Sequence, residues 1–412
     1  MFHKFHWPLG FSAAGTAAGV SYKKGKKDMA LFLSNFPAHG AALFTASRVK
    51  AAPLIYTQKA ILNTRGLVRA VVVNSGSANA ATGPQGYRDA LETAKWASRG
   101  LKLPMDQVWL SSTGVIGPRI KLKNYRKGLK SLLGALRNAG TDEVRSAAEA
   151  ILTTDTIPKV ASAVIKIGGV PVTIWGCCKG SGMIHPVLRG PHGELHATML
   201  GFILTDASIK SGPLQWALEY VADKTFNCVS IDGDTSTNDF VALLANGASG
   251  SPEIKGRRTK DYHLFREGLF KVCDHLVDLI ALDGEGASRL VQIFVEGARS
   301  EKSARSMASV IASSPLVKTA VHGADPNWGR ILAAMGRSGV PFEPRRVKIW
   351  IGDTLVCKGG MEVPFSDQKV IRYMRNKRIF IRVHLGLGPK KSQYRTCDFT
   401  GQYVGINAGY RT

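Results

Sequence analysis

The chain lacks any apolar run near the 20 or so residues that a membrane-spanning helix needs, so no helical membrane anchor is expected. The stretch from Met1 to Gly15 has neither a charged segment leading into an apolar one nor an arginine-rich amphipathic pattern, and a cytoplasmic protein is expected. Cysteine is scarce, six in 412 residues, with no CxxC pair and no histidine at metal-ligand spacing. This excludes the common zinc patterns and a disulfide framework, and predicts reduced, buried thiols. No GxGxxG follows a strand-like run and no GxxxxGK[ST] occurs, which removes the usual nucleotide-binding loops. Internal repeats and low-complexity tracts are missing too.

What is present is glycine, 44 residues of it, beside a 44% hydrophobic content. That balance suits a glycine-rich α/β enzyme better than a helical bundle or a disordered chain, with length enough for one large domain or two medium ones. The formal charge is +25. Lysine and arginine gather at residues 23–27, 119–130, 255–260, 345–348 and 372–382. The clusters are dispersed over segments of different expected structure, and none has the aromatic interleaving of an RNA-reading sheet or the pattern of a helix-turn-helix or zinc finger. Nucleic-acid binding is therefore disfavoured, and a solvated basic surface that attracts carboxylate substrates is expected.

Short apolar runs alternate with turn signals. Residues 29–33, 68–73 and 108–110 read as buried strands, the last two ending in Asn74-Ser75-Gly76 and Ser111-Ser112-Thr113-Gly114. Residues 160–167 and 170–174, separated by Gly168-Gly169, read as a hairpin. Helical spacing marks residues 90–97, 141–152, 214–222, 264–280 and 303–312, and strands are expected again at 347–351, 370–373 and 379–385. The sum is a mixed α/β fold rich in hairpins.

Four loops are dense in glycine and hydroxyl or charged residues. In Ser111 to Gly117, a threonine beside a glycine can aim a hydroxyl and a backbone N–H at one spot, as an oxyanion hole requires, although a plain tight turn fits as well. In Lys179 to Pro186, a lysine flanked by glycine in apolar surroundings is costly to bury without purpose. Further on, Thr198 precedes an apolar run; pattern alone makes it the start of a strand. The alternative is a threonine whose own α-amino group, once freed, acts as general base on its hydroxyl. Ser230 to Asp239 has Asp-x-Asp spacing but no glutamate at loop position twelve, so a hydrogen-bonded turn bracing a site is favoured over calcium. In Asp283 to Ala287, Glu285 sits between two glycines, either in a helix-ending turn or open to a ligand's ammonium group.

Taken together these segments resemble the ornithine acetyltransferases of arginine biosynthesis. The resemblance is carried in order by Ser112-Thr113-Gly114-Val115-Ile116-Gly117, residues 153–159, Lys179-Gly180-Ser181-Gly182-Met183-Ile184 and Ala197-Thr198-Met199-Leu200. Residues 232–239, 283–287, 314–320, 324–330 and 403–410 continue it, so it spans nearly the whole chain. It implies an αββα sandwich with mixed sheets over residues 1–285 and a smaller C-terminal α/β domain over 286–412, whose last residues return to the active site. It also implies self-cleavage between Ala197 and Thr198, acetyl transfer from N2-acetyl-L-ornithine to L-glutamate through an acetyl-threonine, and neither metal nor cofactor. Thr198 would be the nucleophile, and Thr113 and Gly114 the oxyanion hole. Thr156, Lys179, Glu285, Asn407 and Thr412, with Thr198, would bind substrate. The two chains would assemble as an (αβ)2 heterotetramer. Use of acetyl-CoA as a further donor stays open, as do two alternatives, a threonine-nucleophile aminopeptidase or amidase and an uncleaved basic nucleic-acid-binding relative.

Four departures accompany the resemblance, two of them being Ser77 where the family's Asn-Ser-Gly-Asn-Ala-Asn has asparagine and the strong positive charge. Residues 187–196 intervene between Pro186 and the Ala-Thr pair, where the family has almost nothing, and Arg289 replaces a lysine usual after Asp-Gly-Glu-Gly-Ala.

Overall fold

The computed structural model describes residues 5–21, 24–45, 47–136, 140–186, 188, 190 and 199–409. Ala197, Thr198, Thr412 and nearly all of the 187–196 segment lie outside the described residues.

The first part of the chain runs β1 (Phe11–Thr16), β2 (Met29–Phe44), α1 (Ala52–Thr64), β3 (Leu67–Ser77), α2 (Gly83–Leu101), β4 (Val108–Val115), α3 (Leu122–Ala135) and α4 (Thr141–Ala150). It continues through β5 (Lys159–Ile167), β6 (Val170–Lys179), β7 (Leu200–Thr205), α5 (Ser211–Lys224), β8 (Phe240–Ala245) and α6 (Lys260–Leu282). The strands join in the order β4-β3-β2-β8-β7-β6-β5, with β1 added beside β2. Pairings β3–β4 and β7–β8 are parallel and the others antiparallel.

The long β2 changes register between Leu33 and Ala38, and this break folds the sheet over itself. Before the break β2 pairs with β1 and β3; after it, with β3 and β8. Phe32 from the first half therefore stacks on Phe202 of β7, ring centroids 5.1 Å apart, although the two strands share no hydrogen bonds. Phe32, Trp175, Phe202 and Phe240 belong to one buried cluster between the layers, while α5 and α6 cover the far face through Leu214, Leu218, Phe265 and Leu276. The helix–sheet–sheet–helix layering follows.

A second sheet is built from later residues: β9 (Leu290–Ala298), α7 (Glu301–Ala312), α8 (Pro315–His322), α9 (Trp328–Gly336), β10 (Lys348–Ile351), β11 (Thr354–Lys358), β12 (Met361–Glu362), α10 (Asp367–Met374), β13 (Arg378–His384), β14 (Lys390–Cys397) and α11 (Gly401–Gly409). Its order is β12-β11-β10-β13-β9-β14, with β9 and β13 parallel. One face, through Ile349, Ile381 and Val383, packs on α7 to α10.

Two sequence expectations are corrected. Residues 370–373, expected as a strand, lie in helix α10: the Ser366 side chain caps its first turn by accepting from Lys369 N, and Val370 and Met374, one turn apart, share its buried side. Thr113 and Gly114, expected in a loop after a strand, are inside β4, paired with Ser75 and Gly76 of β3. All six cysteines are buried and free, as expected. Among the described residues no helix is long and apolar enough to cross a membrane.

Candidate active site

The strand ends converge at one edge of the first sheet. Lys179 closes β6, Leu200 opens β7 and Phe240 opens β8, and these three stand abreast in register. Phe240 N donates to Met199 O at 2.8 Å, so the chain just before β7 is tied to the start of β8. A cavity of about 200 Å³ opens here, lined among others by Thr113, Gly114, Lys179, Glu285, Tyr403 and Asn407. Five residues singled out from sequence thus meet in one place, although they come from β4, β6, the turn after α6 and α11.

Each is fixed by local chemistry. Gly114 has φ +122°, and a Cβ there would lie 2.5 Å from the Gly76 carbonyl carbon, so both backbone conformation and strand spacing demand glycine. That leaves its N–H beside the half of β4 that carries Thr113. The Asn238 side chain clamps this segment by donating to Ser112 O and Ala78 O, both at 2.7 Å. Glu285 packs directly against Gly182, where a Cβ would meet its carboxylate at 2.4 Å. Asn407 Nδ2 donates to Glu285 Oε2 at 2.8 Å. Among the described residues no cation pairs with Glu285 within salt-bridge distance, so its carboxylate suits an incoming ammonium group.

Asp232 holds the loop after β6. Its carboxylate accepts from Met183 N at 2.5 Å and Ile184 N at 3.0 Å, and keeps Met183 in the left-handed region at φ 56°, a strained setting for a side chain of this size. Burial pushes the Asp232 carboxyl upward, opposed by those N–H donors. The Ser230 to Asp239 segment does brace the site, with Asp232 on one wall and Asn238 on the other.

Behind Lys179 lies a charged cluster that sequence reading did not single out. Lys159 Nζ donates to Asp155 Oδ1 at 2.7 Å and to Asp283 Oδ2 at 2.5 Å, with Lys159 and Asp155 side chains fully buried. Lys179 Nζ lies 3.9 Å from Asp155 Oδ2, and Gly180 N donates to Asp155 Oδ1 at 2.7 Å. Burial would raise the Asp155 carboxyl, but the two lysines hold it well below the usual range. Burial would lower Lys159, and its two carboxylates outweigh that and raise it. For Lys179 burial prevails and the ammonium is pushed down, with Asp155, Glu285 and Asp239 opposing. A lysine so placed can hold a carboxylate, and its ammonium gives up a proton more readily than a solvated one. The one signal in the sequence is an acid and a base four residues apart, Asp155 and Lys159, inside the 153–159 segment that carries the resemblance.

Thr156 is not part of the cavity wall. Its N–H donates to Asp283 Oδ2 at 3.0 Å and its hydroxyl to Asp283 Oδ1, which ties it to the cluster; Thr153 and Thr154 face the cavity instead.

The ArgJ family model matches residues 12–412. Similar proteins include the "Arginine biosynthesis bifunctional protein ArgJ" of Symbiobacterium thermophilum, 43% identical over 406 residues and covering 98% of each chain. That of Geobacillus kaustophilus is 42% identical over 405 residues, 98% of this chain and 95% of that one. A solved chain of the protein of the same name from Bacillus halodurans is 40% identical, with a TM-score of 0.51, and its whole length covers 52% of this chain.

Proposed function

The chain belongs to the ArgJ family, and from that premise we propose that it transfers acetyl from N2-acetyl-L-ornithine to L-glutamate on Thr198, which self-cleavage of the Ala197–Thr198 bond exposes. It is an acetyltransferase of arginine biosynthesis. In the cleavage the Thr198 hydroxyl oxygen attacks the Ala197 carbonyl carbon and the peptide nitrogen leaves with a proton. Water then hydrolyses the resulting ester, giving a carboxylate at Ala197 and a free amine at Thr198. In turnover that amine takes the hydroxyl proton as the oxygen attacks the acetyl carbonyl. The ornithine nitrogen departs with that proton; the glutamate amine then attacks the acetyl-threonine carbonyl, the bond to the Thr198 oxygen breaks, and that oxygen takes up the proton lost by the glutamate amine.

One observation carries this reading: Thr113, Gly114, Lys179 and Glu285 surround a single cavity at the strand edge where β7 begins, two residues after Thr198. Thr113 hydroxyl and Gly114 N–H would hold the developing oxyanion, Glu285 with Asn407 the ornithine side-chain ammonium, and Lys179 a substrate carboxylate. Each oxyanion donor would contribute about 2.7–4 kcal/mol to the transition state. Thr156 would act through Asp283, and Thr412, three residues beyond α11, would close the pocket. One further feature fits a cut: the connection from Lys179 to Leu200 takes 20 residues to join adjacent antiparallel strands that a hairpin of about 2–5 could join. The reading extends to a core over residues 1–285 with a C-terminal domain over 286–412, to (αβ)2 pairing of the cleaved units, and to action in the cytoplasm.

A denaturing gel and an exchange assay test it. The wild type should run as two fragments and move labelled acetyl from acetylornithine to glutamate, and Thr198→Ala should run as one band without exchange. A single wild-type band with no exchange would sink the mechanism.

A further inference from the structure

Two of the basic clusters lie beside aromatics, Trp350 next to 345–348 and Phe380 within 372–382, and the fold brings rings and cations together across strands. On β13, Ile379, Ile381 and Val383 are buried, while Arg378, Phe380, Arg382 and His384 alternate with them onto the opposite face. On that face Lys348 of β10 stands directly between Lys358 of β11 and His384 of β13. The next row places Trp350 opposite Arg382, with the guanidinium carbon 4.2 Å from the indole centroid, and Arg382 opposite Phe294 of β9. The Phe294 ring lies 6.1 Å from that of Phe380, which is 39% exposed. Rings and cations therefore alternate over adjacent strands. Where α6 reaches this face, Asp278 already pairs with Arg378 and Arg395, so the free cations are those farther along.

Like charges directly opposite across strands destabilise a sheet, and Lys348 facing Lys358 is such a pair. Among the described residues none of Arg345, Arg346, Lys348, Lys358 or Arg382 pairs with a carboxylate. The first four of these, with His384, line a groove of about 660 Å³ in which Glu362 is the acidic residue. Residues 286–412 hold 21 Lys and Arg against 8 Asp and Glu, about half of the net +25 in less than a third of the chain. A second copy of the chain would bring equal positive fields together, which argues against self-association through this face. An acidic peptide would satisfy the cations and leave the ring faces unused.

We propose that this face of the second sheet binds single-stranded nucleic acid, with bases on Trp350 and Phe380 and phosphates along Arg345, Arg346, Lys348, Lys358 and Arg382. Ring faces accept any base and cations track the backbone, so binding is tolerant of sequence and strongly salt-dependent. A duplex, whose bases are stacked away and whose grooves need an inserted helix or ribbon, fits the open face poorly. The site lies at strand ends away from Glu285, and it stands or falls independently of acetyl transfer.

The test is fluorescence anisotropy of labelled 12-nucleotide oligouridine and oligothymidine with the full-length protein. A 12-base-pair duplex and a glutamate dodecapeptide serve as the other arms. The single strands should bind, roughly twentyfold more weakly at 200 mM than at 50 mM salt if about three phosphates are contacted. Phe380→Ser and Trp350→Ala should each weaken binding at least fivefold with the salt slope kept, whereas the double variant Lys348→Ala/Lys358→Ala should flatten the slope. Phe380→Ser sits on the exposed face, and an unchanged melting temperature separates its effect from misfolding. A preference for uridine over thymidine would point to RNA as the source, and the reverse to DNA. No saturable single-strand binding at 50 mM salt, or binding indifferent to Phe380→Ser, would overturn the proposal. So would tighter binding of the acidic peptide, or loss of self-association in the variants.

Discussion

Asp239 carries a fully buried carboxyl for which, among the described residues, neither oxygen receives a well-formed hydrogen bond. The neighbouring Thr45 hydroxyl gives its proton to Ser236 O. Burial pushes this carboxyl well above its ordinary value, with Thr45 and Lys179 pulling the other way. A carboxyl raised in the folded state leaves stability intact below its unfolded value near 3.9 and removes stability as pH climbs toward the folded value. An amide in its place would have no proton to lose. Asp239→Asn is therefore expected to melt with the wild type near pH 4 and about 1–3 °C above it at pH 7–8, as measured by scanning calorimetry. A margin that stays the same at both pH values would show that ionisation of Asp239 costs nothing. Residues of this kind were not legible in sequence. Thr113, Lys179 and Glu285 could be picked out because glycine neighbours mark a backbone bent for a purpose. The partners that fix Asp239 lie far away along the chain: its carbonyl accepts from Thr45 N, and the next residue, Phe240, donates to Met199 O.

At the scale of elements, legibility followed how local the cause was. The β5–β6 hairpin was readable because Gly168-Gly169, at φ +55° and +85°, supplies the turn that joins twisted strands. Helix α6 was readable from its apolar stripe, and α10 was missed because a serine cap outweighed a short β-prone run. Helix α11 shows the opposite balance of stability and function. Nearly all its residues are exposed, and it is held by Thr400 Oγ1 to Gly286 O at 2.7 Å, by Phe399 stacked on Tyr403 at 4.8 Å, and by the bond from Asn407 to Glu285. It buries little apolar surface yet contributes Tyr403 and Asn407 to the cavity. Deleting residues 401–412 should shift the melting temperature by less than about 2 °C, because so little area is lost. Acetyl exchange should fall at least tenfold, mainly through a higher KM for acetylornithine. A drop of many degrees would mean that the helix holds the fold together and that the activity loss is indirect.

For the whole molecule, the position of the proposed cut within the sheet decides what cleavage can do. The bond lies between β6 and β7, and the strand order places β7 and β8 between β2 on one side and β6 on the other. After cleavage, β1 to β6 would belong to the first chain and β7 and β8 to the second, so the second chain would be stitched into the first on both edges. Every inter-strand bond of the pairs β2–β8 and β6–β7 would cross between chains. The buried cluster that joins Phe32 and Trp175 to Phe202 and Phe240 would cross as well. Parting the chains would mean opening that core, so dissociation should coincide with global unfolding. In size-exclusion chromatography under native conditions, the two fragments should co-elute at every dilution down to nanomolar. In urea, fragment separation and loss of the far-UV signal should share one midpoint. Residues 1–197 produced alone should fail to fold, since β2 and β6 would each expose an apolar edge. Fragments that separate in native buffer, or a soluble folded 1–197 fragment, would contradict a sheet shared between the two chains.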